Sequence, residues 1–118
     1  DQIILYGDGS SSRDYTHVSD IVQGIERAMA CLNGFDIFNL GESNAISLSD
    51  LVSLLESIIG GKANIRFLPL QDGDMYRTFA DISRAKSVLG YNPVVNIAGG
   101  IRDYVDWVKI HSKNSRGH

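Results

Sequence analysis

Short segments with the character of strands alternate with helical patterns along almost the whole chain, and this alternation restricts the possible folds more than any other feature. Extended segments are predicted at residues 2–6, 14–17, 35–40, 65–68 and 77–80. Residues 35–40 are more continuously apolar than alternating, which is typical of a strand covered on both faces in a parallel sheet. Strands separated by helices predict an α/β fold.

Capping residues predict four helices between and after these strands. The predicted starts are Ser19, Ser47 with Asp50 in a capping box, Asp81 or Ser83, and Asn96; the predicted ends are Leu32, Gly60-Gly61 and Gly90. The first helix carries one apolar stripe that we expect to be buried, and Gly24 within it indicates close packing against a neighbouring element. The polar tail from His111 is expected to fray.

Composition restricts the class of protein further. The chain has 118 residues, a formal net charge of −3 and scattered basic residues, which argues against a nucleic-acid surface. No segment is long and apolar enough to span a membrane, and residues 1–20 lack a signal-peptide pattern. A single cysteine, Cys31, agrees with a reducing compartment, so we expect a cytoplasmic protein. A chain of this length can form one core, so we expect one compact domain. Because the chain opens on an apolar strand without methionine, we expect a fragment of a longer protein.

Two local motifs suggest chemistry that their context does not support. Gly7-Asp8-Gly9 follows a strand as in a dinucleotide-binding loop, but Ser12 replaces the third glycine and no helix follows directly. Ser83 and Lys86 have the Ser-x-x-Lys spacing of some acylating enzymes. Ser83 also lies at a predicted helix start, where serine commonly caps the helix, and capping explains its presence. The three histidines are too dispersed to suggest a metal site, and Asp72 with Asp74 lacks the other ligands of a calcium loop.

Arg13 is the strongest candidate for ligand binding from residue chemistry alone. It lies on a polar loop after the first strand, and its planar guanidinium can hold a phosphate through two parallel hydrogen bonds. A surface ion pair of Arg13 with Asp14 or Asp20 is an equally economical explanation. Spacing does not decide between the two.

Four segments, in order and spacing, resemble the nucleotide-sugar epimerases and dehydratases of the extended short-chain dehydrogenase/reductase superfamily. They are Tyr6-Gly7-Asp8-Gly9 with Arg13-Asp14-Tyr15, Val18 and Asp20; Phe38-Asn39-Leu40-Gly41; Gln71 with Gly73-Asp74; and Thr78, Ala80-Asp81-Ile82-Ser83 with Leu89-Gly90-Tyr91 and Pro93. The nearest branch is that of the UDP-glucuronate and UDP-glucose 4-epimerases. Asp72 stands where the first of these often has proline.

The resemblance implies that residues 1–118 form a single carboxy-terminal, substrate-binding domain that takes a UDP-sugar. Backbone groups of Ile4, Leu5 and Tyr6 would face the uracil, Arg13 would hold the diphosphate, and Asp74 would accept from the ribose hydroxyls. Gln71 would give a second, neutral phosphate contact where UDP-galactose epimerases have arginine.

The same resemblance implies that catalysis and NAD binding belong to an amino-terminal Rossmann domain. The family's Tyr-x-x-x-Lys pair is missing from this chain, as is its glycine-rich NAD loop. We therefore expect substrate recognition in an NAD-dependent 4-epimerase, without activity or bound cofactor in this chain alone. The alternatives are the same part of a dehydratase or decarboxylase, or a stand-alone nucleotide-binding or interaction module. Without the Rossmann domain, we expect the chain to self-associate or exchange segments.

Overall fold

The computed structural model describes residues 2–31 and 33–114, and in these ranges short strands are combined with three α-helices and one π-helical segment. The elements in chain order are β1 (Gln2–Tyr6), β2 (Ser12–Asp14), α1 (Val18–Cys31), β3 (Ala45–Ser47), α2 (Leu48–Ile59), β4 (Asn64–Leu68), the π-helical segment (Ala85–Leu89) and α3 (Ile97–Asn114). This mixture confirms the predicted α/β class. Within the described ranges, no helix has both the length and the apolar character needed to cross a membrane.

The four strands form two small sheets of two strands each. β1 pairs with β4 in parallel, with Ile4 opposite Arg66, and the crossover between them contains α1 and α2. β2 pairs with β3 in the antiparallel sense, with Arg13 opposite Ile46. Because only residues 7–11 separate β1 from β2, the end of the first strand lies beside the start of the second.

Several predicted helix boundaries are confirmed by their caps. The Ser47 hydroxyl accepts from the Asp50 amide at 3.1 Å and donates to its carboxylate at 2.6 Å, which fixes the start of α2. Gly60 ends α2 with a φ of 79°, a conformation that glycine adopts without strain. Asn96 accepts from the Gly99 amide at 2.9 Å and so opens α3.

The predicted cap of α1 is wrong by two residues. The helix begins at Val18, so Ser19 lies inside its first turn. The Ser19 amide instead donates to the ring Nδ1 of His17 at 3.3 Å, and the ring nitrogen thus takes the place of a capping oxygen. The predicted end at Leu32 lies outside the described residues, whereas α3 stays helical beyond His111, to Asn114. Residues 115–118 of the tail also lie outside the described residues.

Residues 35–40 are not a strand, which corrects the prediction made from their apolar pattern. A strand needs a neighbour for its backbone groups, and no strand of the described residues pairs with this segment. Residues 77–80 likewise contribute only one bridge, between Arg77 and Ser12. In residues 35–40, Phe38 and Leu40 pack against the core, while Phe35 is 91% exposed.

The buried core lies between α1 and the π-helical segment. Ile82, Ala85, Leu89 and Tyr91 form it. A methyl group added at Gly24 would come within 2.6 Å of a Leu40 methyl, which confirms the predicted close packing at that glycine.

The apolar stripe of α1 is only partly buried, whereas the sequence predicted burial along its whole length. Ile21 is half-buried and Ala28 packs against the core, but Val22 and Ile25 are exposed and Met29 is 80% exposed. The core of the described residues therefore covers one side of the stripe and leaves the other side open.

Candidate functional site

A cleft of about 230 Å³ opens between the end of β1, β2 and the loop that follows β4. Its lining consists of Ile4, Leu5, Tyr6, Ser11, Arg13, Tyr15, Leu48 and Asp74. Five of the six residues assigned to substrate binding by resemblance therefore line one cavity. Gln71 is the sixth and does not line it: its carbonyl accepts from the Asp74 amide at 3.1 Å, so it shapes the turn that carries Asp74.

Arg13 and Asp74 form an ion pair across this cleft. The guanidinium Nη2 lies 2.9 Å from the Asp74 carboxylate, and the two side chains are 28% and 37% exposed. The other terminal nitrogen, Nη1, donates to the Ser12 carbonyl at 2.9 Å and to the Tyr76 carbonyl at 3.4 Å. The guanidinium is thus held by β2 on one side and by the loop containing Asp74 on the other.

Neither Asp14 nor Asp20 is the partner of Arg13, so the surface ion pairs considered from spacing are wrong. The Asp14 carboxylate accepts from the amides of Glu42, Ser43 and Ala80 at 3.0 to 3.2 Å. These bonds join β2 to two distant loops. Asp14 is therefore committed to the structure that supports the cleft.

Asp20 is buried in the first turn of α1 and plays a similar structural role. Its two carboxylate oxygens accept from the amides of Val94 and Val95, both at 3.0 Å. The main-chain partners lie more than seventy positions away and carry no local pattern that could have revealed them.

The carboxylates of Asp14 and Asp20 influence the pKa values of their neighbours. Burial, and next the charges of Asp14 and Asp20, raise the pKa of the Glu42 carboxyl above its ordinary value. Burial, and next the charge of Asp20, also raise the pKa of Tyr91, whose hydroxyl donates to the Gly41 carbonyl at 2.9 Å. Tyr91 is therefore a neutral structural group.

β1 offers backbone groups along one side of the cleft. One edge of this strand pairs with β4, and no other described strand pairs with its second edge. A strand edge presents alternating N–H donors and C=O acceptors, and the edge of a pyrimidine base carries the same two kinds of group. The segment Ile4–Tyr6 can therefore bind a base through its main chain.

The glycine loop after β1 does not fit NAD. Gly7 and Gly9 have positive φ angles, but β2 follows them and not a helix amino terminus that would receive a pyrophosphate. The Gly9 carbonyl accepts from both the amide and the hydroxyl of Ser49 at 3.0 Å, so the loop packs on the start of α2. The loop therefore lacks the strand-to-helix geometry of a dinucleotide-binding turn.

A larger cavity of about 560 Å³ lies between the segment after β2 and α3. Aromatic side chains, including Tyr15, Tyr104 and Trp107, form much of its wall, and none of the described residues lining it is a lysine or arginine. A diphosphate requires positive charge or several donors. The smaller cleft, which contains Arg13, is therefore the better candidate for a nucleotide.

Known proteins resemble this chain over most of its length. The family model described as GDP-mannose 4,6 dehydratase matches residues 1–104. An uncharacterized protein of Methanocaldococcus jannaschii is 42% identical over 90% of the chain and 32% of its own length. A UDP-glucuronate 4-epimerase of Thermodesulfobacterium geofontis is 38% identical over 91% of the chain and 33% of its own length.

Solved structures show the same fold. The UDP-glucuronic acid 4-epimerase of Bacillus cereus, in complex with UDP-glucuronic acid and NAD, superposes with a TM-score of 0.85 at 32% identity. The match covers 92% of this chain and 35% of that enzyme. The chain thus spans about a third of the length of these relatives. It belongs to the nucleotide-sugar epimerase and dehydratase family of the extended short-chain dehydrogenases/reductases.

Proposed function

We propose that this chain is the substrate-recognition part of an NAD-dependent nucleotide-sugar 4-epimerase and that it binds the UDP group of a UDP-sugar. In this proposal Arg13 binds the diphosphate, Asp74 accepts from the ribose hydroxyls, and the main chain of Ile4, Leu5 and Tyr6 pairs with the uracil. Gln71, in the turn that carries Asp74, supplies a neutral contact to the second phosphate.

The observation that carries the proposal is the convergence of these groups in one cleft. Arg13 and Asp74 are 61 positions apart in the sequence, yet they meet at 2.9 Å in a cleft that residues of β1 also line. A cation for phosphate, an acceptor for hydroxyls and a main-chain edge for a base are the three kinds of group that a nucleoside diphosphate requires. Relatives of the chain are UDP-sugar epimerases, which supports this choice of ligand.

The redox chemistry of the complete enzyme lies outside this chain in the proposal. The chain has no Tyr-x-x-x-Lys pair, and its glycine loop does not fit NAD. NAD would supply hydride transfer when bound by an amino-terminal Rossmann domain. The residues described here would bind and orient the nucleotide so that the sugar reaches that domain.

A dehydratase is the second candidate, because the matching family model is described by a GDP-mannose 4,6 dehydratase. Both reactions act on a sugar that is linked to a nucleotide. The residues that distinguish the two reactions belong to the catalytic part of the enzyme. The sequence preceding Asp1 in the parent gene distinguishes the two by its acid and base residues.

Calorimetric titration of UDP into the full chain tests the proposal. We expect wild type to bind and Arg13→Ala to weaken the affinity by about tenfold or more, because a charge-assisted contact to phosphate is lost. Arg13→Lys keeps the charge without the planar fork and should fall between the two.

Arg84→Ala is the matched control. Arg84 forms an ion pair with Asp36 at 2.7 Å, away from the cleft, so its loss removes the same charge without touching the proposed site. Equal UDP affinity in wild type and Arg13→Ala, or equal losses in Arg13→Ala and Arg84→Ala, would show that Arg13 does not bind the diphosphate.

A further inference from the structure

We infer that Asp74 acts as an internal competitor for Arg13 and thereby selects ligands that carry a ribose as well as phosphate over free phosphate anions. The inference rests on the proposed function and adds a specificity-determining role at the same site. The Asp74 carboxylate occupies the Nη2 side of the guanidinium at 2.9 Å. Since Nη1 donates to the carbonyls of Ser12 and Tyr76, an entering phosphate and the Asp74 carboxylate compete for the Nη2 side of the guanidinium.

The loop is held next to Arg13 by main-chain hydrogen bonds that do not involve the Asp74 carboxylate. The turn is closed by the bond from the Asp74 amide to the Gln71 carbonyl, and Gly73 has a φ of 84°. The far end of the loop is attached to β2, because the Ser12 amide donates to the Tyr76 carbonyl at 2.9 Å. The carboxylate can therefore leave the guanidinium without any change in the strands.

Both side chains are partly exposed, so replacing the carboxylate on Arg13 by a phosphate costs little free energy. Exposed ion pairs contribute little net free energy, since water and salt screen them. Competition by Asp74 is then strong enough to reduce the affinity of a weak anion but too weak to exclude a ligand with further contacts.

The groups that a ligand carries determine whether it displaces Asp74 from Arg13. Inorganic pyrophosphate can replace the carboxylate on Arg13 but offers no hydroxyl to the displaced Asp74. A nucleoside diphosphate offers ribose hydroxyls, which donate to the freed carboxylate and restore its hydrogen bonding. The same side chain thus opposes the first ligand and binds the second.

Titrations of pyrophosphate and UDP into wild type and Asp74→Asn test the inference. The amide has the shape of the carboxylate but no charge. We expect pyrophosphate to bind about threefold more tightly to Asp74→Asn, because the competing ion pair is lost. The ratio of UDP affinity to pyrophosphate affinity should fall by about tenfold, because the charged acceptor for the ribose is lost as well.

Asp72→Asn is the control for a general change in charge, since it removes one negative charge two positions away on the same turn. Its effect on pyrophosphate should stay below about 1.5-fold, because Coulomb interactions between exposed groups are screened. Unchanged, weaker or undetectable pyrophosphate binding in Asp74→Asn would overturn the inference, as would an equal gain in Asp72→Asn. If UDP still binds through Arg13 in those cases, the proposed function stands; absence of UDP binding to wild type removes both.

Discussion

At the scale of single residues, the aspartates near the cleft differ because their surroundings differ. Asp14 and Asp20 are enclosed by backbone amides that only a carboxylate can satisfy so completely. Asp74 faces a guanidinium and water. The first two hold the fold around the cleft, and the third lies at the cleft in an ion pair with Arg13.

Replacement of Asp20 by alanine should destabilise the protein strongly. The change leaves the amides of Val94 and Val95 without their acceptor, so we expect a loss of about 3 kcal/mol in the free energy of unfolding. Asp36→Ala, which breaks an exposed ion pair, should cost less than about 1 kcal/mol. Urea denaturation measures both, and similar costs for the two variants would contradict the structural role of Asp20.

Glu42 predicts a pH dependence of stability. Its pKa is raised in the folded protein, so the folded state binds the proton more tightly than the unfolded state does. The stabilisation by this proton is complete below the unfolded value of about 4.3 and is lost as the pH rises through the folded pKa. Glu42→Gln, which cannot ionise, should therefore raise Tm at pH 7, with a smaller gain near pH 4. A lower Tm at pH 7 would show that the ionised carboxylate stabilises the fold.

At the scale of elements, two helical glycines have opposite predicted effects. Gly24→Ala places a methyl group 2.6 Å from Leu40 and should destabilise the protein by about 1–3 kcal/mol through overpacking. Gly99→Ala meets no atom closer than 3.5 Å and should stabilise α3 by about 0.5–1 kcal/mol. Thermal unfolding of the two variants should shift in opposite directions; a shift in the same direction would contradict the packing of α1 on the segment of Leu40.

The elements that could be predicted from the sequence are those determined by local signals. The cap at Ser47, the αL residue at Gly60 and the strands β1 and β4 each depend on a few neighbouring residues. Residues 35–40 were predicted wrongly because a strand also depends on a distant neighbour, which local pattern does not reveal. The ion pair of Arg13 with Asp74 is equally non-local; resemblance to a family indicated both residues, but spacing indicated only Arg13.

At the scale of the whole molecule, the surface is larger than that of an ordinary monomer. Its accessible area is 8402 Å², whereas a compact protein of 12.9 kDa exposes about 6300 Å². The radius of gyration is 17.6 Å against about 13.5 Å for a compact domain of this length. Exposed apolar side chains on α1 and at Phe35 account for part of this excess.

We predict that the chain covers this surface by self-association or segment exchange when its proposed Rossmann partner is absent. Sedimentation velocity over a range of concentrations should show species larger than a monomer. Val22→Glu, on the exposed stripe of α1, should shift the population toward monomer, because a charge cannot be buried there without a partner. A clean monomer at high concentration, without binding of a hydrophobic dye, would contradict the prediction.

The proposed binding of a uridine diphosphate group in one cleft of this chain is tested by a crystal structure of the chain with UDP. We expect phosphate oxygens within hydrogen-bond distance of the Arg13 guanidinium, ribose hydroxyls at Asp74 and the uracil along β1, with the Arg13–Asp74 contact opened. UDP bound elsewhere, for example in the aromatic cavity beside Trp107, would contradict this proposal.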